Sequence, residues 1–136
     1  SPLRRTLRTA ALLFPDLLGE VPWVALEGLR ERNGRHPCDR RRPISQAKQE
    51  FPLVDFSQIL DDEDVSWGDG EWRESDEEMA VRSQAVLAFL GSRPERNIVV
   101  VTHKVFLFQM FNNVVDCAGA PALREWFDNL ECRSAR

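Results

Sequence analysis

Val99-Val100-Val101-Thr102-His103 is a β-branched run that stops at a histidine, and its reading decides the fold. Three consecutive valines with no polar alternation match a strand buried on both faces, the pattern of a parallel sheet. The helical pattern of residues 105–115 follows at once, so the strand ends at the turn where open α/β sheets gather their chemistry. A strand-end histidine taken alone is as often a packed hydrogen-bonding residue as a reactive one. Its meaning depends on the rest of the chain.

Working outward, Ser75-Asp76-Glu77-Glu78 has the Ser-x-x-Glu pattern of a capping box and opens a helix through Met79, Val86, Phe89 and Leu90. Gly91 ends that helix, with Pro94 beyond it. Residues 97–102 are the strand, and a helix over 105–115 follows. Near the start, Leu7, Ala10, Ala11, Phe14, Leu17 and Leu18 form one helical stripe over residues 6–18, which Pro15 kinks or ends early. Val24-Ala25-Leu26 and residues 127–133 are further strand candidates, and residues 43–60, with Pro43 and Pro52, read as short helical pieces and loop. Helix, strand and helix in close succession predict a parallel crossover unit with helices flanking a sheet.

Composition narrows the function. The chain has 136 residues, 43% hydrophobic and 29% charged, which fits one domain over 1–136 with a real core. No apolar run is long enough to span a bilayer and no secretory pattern opens the chain, so a cytoplasmic protein without membrane partners is expected. Cys38, Cys117 and Cys132 are widely spaced and odd in number; they read as reduced thiols. His36 and Cys38 have no second pair at ligand spacing, so neither a metal nor another cofactor is expected.

The net charge of −4 hides an uneven distribution. Residues 1–48 carry ten Lys and Arg against five acids, and residues 61–78 carry ten acids against one Arg. The basic part reads either as a solvated face or as an anion site; overall acidity disfavours nucleic acid. The acidic stretch reads as a solvated loop, anchored by Trp67 and Trp72. Arg40, Arg41 and Arg42 read as a solvated basic loop, with an extra anionic group on a substrate as the sharper alternative.

These residues carry a resemblance. Ser1-Pro2-Leu3-Arg4-Arg5-Thr6-Leu7-Arg8-Thr9-Ala10 resembles the second motif of the histidine phosphatase superfamily, the phosphoglycerate-mutase-like proteins. Leu29-Arg30-Glu31-Arg32-Asn33-Gly34, with Cys38-Asp39 after it, resembles the family's acidic motif, and Glu74-Ser75 its Glu-Ser helix opening. Val100-Val101-Thr102-His103 resembles the strand with the family's second histidine, and Phe127 to Arg133 its closing strand. The motifs occur in the family's order along the whole chain.

The resemblance implies a three-layer α/β/α fold with a mainly parallel sheet, and phosphate monoester hydrolysis through a phosphohistidine. It implies that Arg5 binds phosphoryl oxygens, because a planar guanidinium can hold two of them and neutralise their charge. Glu31 is implied as the general acid for the leaving oxygen, against the plainer reading of an ion-pair partner for Arg30 or Arg32. His103 is implied as a donor to the phosphoryl group where charge builds up. The substrate class is then a phosphorylated small molecule or a phosphoprotein, with phosphatase favoured over mutase.

Two departures bear on activity. The family's first strand, with the Arg-His-Gly turn that supplies the nucleophile and a second phosphate arginine, has no counterpart in these 136 residues. The domain is thus expected to lack its first strand and to be inactive alone, either as a truncated form of a complete phosphatase or as a phosphate-binding or regulatory relative. Exposed sheet edges then favour self-association. Second, Lys104-Val105 follows His103 where the family usually has small residues. His36, outside any strand-then-turn context, reads as a surface residue. A generic α/β interaction domain is the remaining alternative.

Overall fold

A computed structural model describes residues 1–68 and 70–134. Four α-helices occur among them: α1 (Arg4–Leu13), α2 (Ile44–Glu50), α3 (Asp76–Gly91) and α4 (Lys104–Asn113). Short 3-10 turns at Pro15–Leu17, Glu27–Leu29, Pro37–Asp39 and Pro121–Arg124 shape the connections.

The α1 helix stops at Leu13, earlier than the apolar stripe suggests, because the residue before a proline is pushed out of the helical region; Phe14 has φ −128° and ψ 50°. The chain continues as a 3-10 turn with Pro15 at its first position. At the start of α3 the capping box forms in full: Ser75 Oγ accepts the Glu78 N–H at 3.2 Å, and the Ser75 N–H donates to Glu78 Oε2 at 2.7 Å. Asp76, Glu77 and Glu78 set negative charge against the positive end of the helix dipole.

Helices α3 and α4 pack on each other. Met79 and Val86 of α3 meet Phe106, Met110 and Phe111 of α4 in the larger apolar cluster, which Leu26, Leu29, Cys117, Leu123 and Phe127 complete. Met79 and Phe106 have no exposed surface. A second cluster joins Leu7 of α1 and Ile44 of α2 to Ala25, Val54 and Phe56.

The parallel sheet expected from the sequence does not form among the described residues. The pairing there consists of two isolated parallel bridges, Leu18 with Val21 and Val24 with Asp55. Val24-Ala25-Leu26 therefore contributes one bridge, in which the Ala25 N–H donates to Asp55 O at 2.8 Å and the Asp55 N–H to Trp23 O at 2.7 Å.

Among the described residues, Asn97 to Thr102 has no backbone partner in a neighbouring segment apart from the terminal amine of Ser1, which donates to Val101 O at 3.2 Å. A strand needs a second strand beside it, and the space next to this run is instead a groove of about 420 Å³, lined by Ile98, Val99, Val100 and Val101 together with Leu7, Ala10, Val24 and Leu26. Val99 is consequently 61% exposed.

Residues 127–133 form a turn rather than a closing strand. The Glu131 N–H donates to Asp128 O at 3.2 Å, and Leu130 takes a left-handed φ of 63° that interrupts an extended run. Phe127 still packs into the core, beneath the Arg133 guanidinium at 3.9 Å. Among the described residues no helix is long and apolar enough to cross a membrane.

Two loop readings also change. Asp64 is 9% exposed and Arg41 5% exposed, so neither the acidic stretch nor the arginine loop is simply solvated. Arg41 donates to the carbonyls of Asp61, Asp62 and Glu63 at 2.7–3.0 Å, and this buried guanidinium clamps the acidic stretch by its backbone. Trp67 is buried, in keeping with its anchoring role. Cys38, Cys117 and Cys132 are free thiols, Cys117 alone being buried.

Candidate functional site

His103 is the residue before α4 and has an extended backbone, φ −128° and ψ 155°. Its ring is 7% exposed. Thr102 fixes its approach by donating from Oγ1 to Leu29 O at 2.7 Å, which ties this segment to the loop carrying Arg30 and Glu31.

Both ring nitrogens have partners. Arg5 directs Nε at His103 Nδ1 at 3.3 Å and Nη2 at the same atom at 3.1 Å. A guanidinium only donates, so Nδ1 accepts and the proton of the neutral ring lies on Nε2. Nε2 then donates to Ser1 Oγ at 2.9 Å. Burial, followed by the positive charge of Arg5, drives the His103 pKa down to about 2. The ring is thus a neutral imidazole between the Arg5 guanidinium and the Ser1 hydroxyl.

Arg5 sits on the first turn of α1, with its side chain 43% exposed. Besides His103 it reaches the loop after the acidic motif: Nη1 donates to Cys38 O at 2.6 Å and Nη2 to Asp39 Oδ1 at 2.7 Å.

Glu31 reaches the start of α4. Its oxygens accept the N–H groups of Val105 at 3.3 Å and Phe106 at 3.1 Å in the first turn of α4, and that of Arg32 at 2.9 Å. The carboxylate satisfies helix-terminal donors that would otherwise lack intrahelical partners. It therefore holds its loop against the helix that His103 precedes. Arg5, Glu31 and His103 are brought into one neighbourhood, two of them by direct contact and the third through the start of α4.

Beneath this site lies a buried polar cluster. Arg30 forks onto Asp64 with bonds of 2.8 and 2.7 Å, and also donates to Glu27, Asn33, Ser66 and the Asp39 carbonyl. Burial alone would raise the Asp64 pKa, but the Arg30 fork, the Arg41 N–H and Ser66 outweigh it and hold the group below its ordinary range. Glu74 is likewise buried; it accepts from Arg82 at 2.6 Å on both oxygens and from the Asn33 N–H at 3.0 Å. Arg82 continues to Gly28 O and Arg30 O. The Glu-Ser opening of α3 thus supports the loop of residues 28–34.

Sequence reasoning gave no role to Ser1 or Asp39, although both stand inside motifs it quoted. His36 is exposed. Lys104 lies outside this network, with Nζ 5.3 Å from the ring of Trp126. Among the described residues no group of three or more His, Cys, Asp or Glu side chains could hold a metal.

Comparison with known proteins supplies the family. The model of the histidine phosphatase superfamily (branch 1) matches residues 1–132. Phosphoglycerate mutase-like protein 1 of Arabidopsis thaliana is 40% identical over 163 residues, covering 98% of the chain and 57% of that relative. A phosphoglycerate mutase-like protein of the same plant is 41% identical over 96 residues, covering 71% of the chain and 35% of the relative. Phosphoglycerate mutase-like protein 2, also from that plant, is 41% identical over 104 residues, with 74% and 30% covered. The chain thus spans from about a third to just over half of these relatives' lengths. No solved structure matches. With the motifs in order and matched from residue 1 to 132, this chain belongs to the histidine phosphatase superfamily, whose fold is the phosphoglycerate-mutase-like α/β type.

Proposed function

We propose that this chain carries the phosphate-holding part of a phosphoryl-transfer site, in which Arg5 and His103 bind the phosphoryl oxygens of a phosphate monoester and Glu31 protonates the leaving oxygen. The observation that carries the reading is the direct approach of the Arg5 guanidinium to His103 Nδ1, at 3.1 and 3.3 Å. A carboxylate partner for His103 is absent from its ring contacts among the described residues, while Arg5 stays accessible at 43% exposure. An anion entering between the two meets the guanidinium edge, and its negative charge favours a proton on the imidazole, turning Nδ1 from acceptor to donor.

Family chemistry runs through a phosphohistidine. The sequence has two histidines. His103 is enclosed by Arg5 and Ser1, and His36 stands exposed beside a 3-10 turn. This reading therefore assigns the attacking imidazole to a histidine beyond these 136 residues, with turnover depending on that histidine. A phosphatase is favoured over a mutase, since nothing between Glu31 and Ser75 specifies a phosphoglycerate; the relatives' names keep a mutase-like substrate in view. The second reading, a phosphate-binding relative without turnover, is favoured by the same histidine inventory.

Thermal denaturation with inorganic phosphate and with orthovanadate tests the shared core of both readings. Binding to the folded state alone raises the melting temperature by mass action. The rise is expected in the native sequence and its loss in Arg5→Ala. An unchanged melting temperature at saturating anion overturns both and leaves the interaction-domain alternative. Hydrolysis of p-nitrophenyl phosphate by the protein as produced in its source organism then separates the enzyme from the binding relative.

A further inference from the structure

We propose that Asp39 is a positioning residue that sets the orientation of Arg5 for the phosphoryl group. The inference rests on the phosphate-site reading and adds a residue to it.

An unsupported arginine is conformationally free. Its long side chain has many rotamers, and Arg5 is 43% exposed on a helix surface. Left unsupported, such a guanidinium would sample many orientations. Here two consecutive residues hold it: Asp39 Oδ1 takes Nη2 at 2.7 Å and Cys38 O takes Nη1 at 2.6 Å. With both acceptors on one side of the fork, the Nε and Nη2 edge is left facing His103 Nδ1.

The holder is itself rigid. Asp39 closes the 3-10 turn Pro37–Asp39, its N–H donates to His36 O at 2.8 Å, and it is 5% exposed. From below, Arg30 Nη2 donates to Asp39 O at 2.8 Å. Arg30 is in turn fixed by its fork onto Asp64, itself pinned by the Arg41 N–H at 2.7 Å. Hydrogen bonds run from Asp64 through Arg30 to the Asp39 backbone, and from the Asp39 carboxylate through Arg5 to the neutral His103. Asp64 and His103 at the two ends are buried, and Arg5 is reachable from solvent.

Asp39 also brings negative charge close to Arg5, which by itself opposes a second anion. The two roles predict opposite results. If orientation dominates, removing the acceptor weakens phosphate binding, since a guanidinium binds oxygens bidentately only in a fixed plane. If Asp39 were a mere counter-charge, its removal would tighten binding.

The test is calorimetric titration of inorganic phosphate into the native sequence and into Asp39→Ala, Asp39→Asn and Arg5→Ala with and without Asp39→Ala. The loss of a hydrogen bond to a charged group corresponds to roughly a tenfold change in affinity, so Asp39→Ala is expected to bind about tenfold more weakly. Asp39→Asn keeps an acceptor oxygen in place and is expected to stay within about threefold of native affinity. In the Arg5→Ala background Asp39→Ala should add nothing. If the native protein binds and Asp39→Ala binds as well or better, the positioning role falls and the phosphate site stands. If Asp39→Ala does not fold, Asp39→Asn decides: a gain near tenfold reveals a counter-charge and overturns the proposal. Absence of phosphate binding in the native protein removes the site and this role with it.

Discussion

Arg5 and His103 meet through an edge of guanidinium N–H groups and a single ring nitrogen, Nδ1, at 3.3 and 3.1 Å. A protonated imidazole could not accept those bonds, so the contact requires a neutral ring. The arrangement sets the Arg5 guanidinium beside a buried neutral ring. That links the resting geometry to the chemistry proposed for it.

One consequence is a pH dependence of stability. The His103 pKa lies near 2 in the folded chain, below the ordinary value of about 6.5 expected on unfolding. As pH falls below about 6.5, the unfolded state takes up a proton that the folded state refuses. Stability from this residue is complete above that pH and declines toward pH 2, with a slope of at most about 1.4 kcal/mol per pH unit. Urea denaturation between pH 7 and pH 5 should show a steeper loss in the native sequence than in His103→Asn. Parallel profiles would contradict the buried neutral ring.

Removing one member of the buried Arg30–Asp64 pair leaves the other charged and without its partner. Asp64→Ala is expected to cost about 3–5 kcal/mol in urea denaturation at neutral pH. Because the two side chains, 3% and 1% exposed, share one network, Arg30→Met combined with Asp64→Leu should cost less than the sum of the single changes. Full additivity would show that the pair is not coupled.

Gly34 has φ +106°, and a Cβ there would run into the Trp72 carbonyl oxygen. Gly34→Ala should destabilise by at least about 1–3 kcal/mol, since backbone strain and a clash combine. Gly91 has open space around it and ends α3, so Gly91→Ala should be neutral or slightly stabilising. Equal melting temperatures for Gly34→Ala and the native sequence would contradict the packing of the 28–34 loop on residues 72–73.

The unpaired run at Val99 exposes apolar side chains beside an apolar groove. Such an edge promotes association. Sedimentation velocity over a range of concentrations should show self-association that Val99→Lys reduces. A native chain that stays monomeric at every concentration would show that this edge is not used.

Local signals in the sequence translated directly into structure where a single short-range cause governed them. The capping box at Ser75 and Glu78 formed, and Pro15 ended α1. The strand pattern of Val99 to Val101 did not yield a ladder, because β-branched composition expresses a preference for a pleated, covered environment, while pairing needs a neighbour that composition does not supply. At the site, the closeness of Arg5 and His103 was legible only through the order of the family motifs, since 98 residues separate them. Arg41 and Asp64 were misread as solvated because nothing local distinguishes a buried arginine from its exposed neighbours Arg40 and Arg42. Long-range hydrogen bonds to the backbone of residues 61–63 make that difference. The contacts of Glu31 with α4 join residues 74 and 75 positions apart, again beyond any local pattern.

The most direct test of the site is the affinity of orthovanadate for the native sequence and for Arg5→Ala, read by isothermal titration calorimetry at pH 7. The account predicts one vanadate per chain, with affinity reduced at least about tenfold when the guanidinium is removed. Equal affinity in the two proteins, or no saturable binding to the native one, would contradict the claim that Arg5 and His103 form a phosphoryl-binding pair.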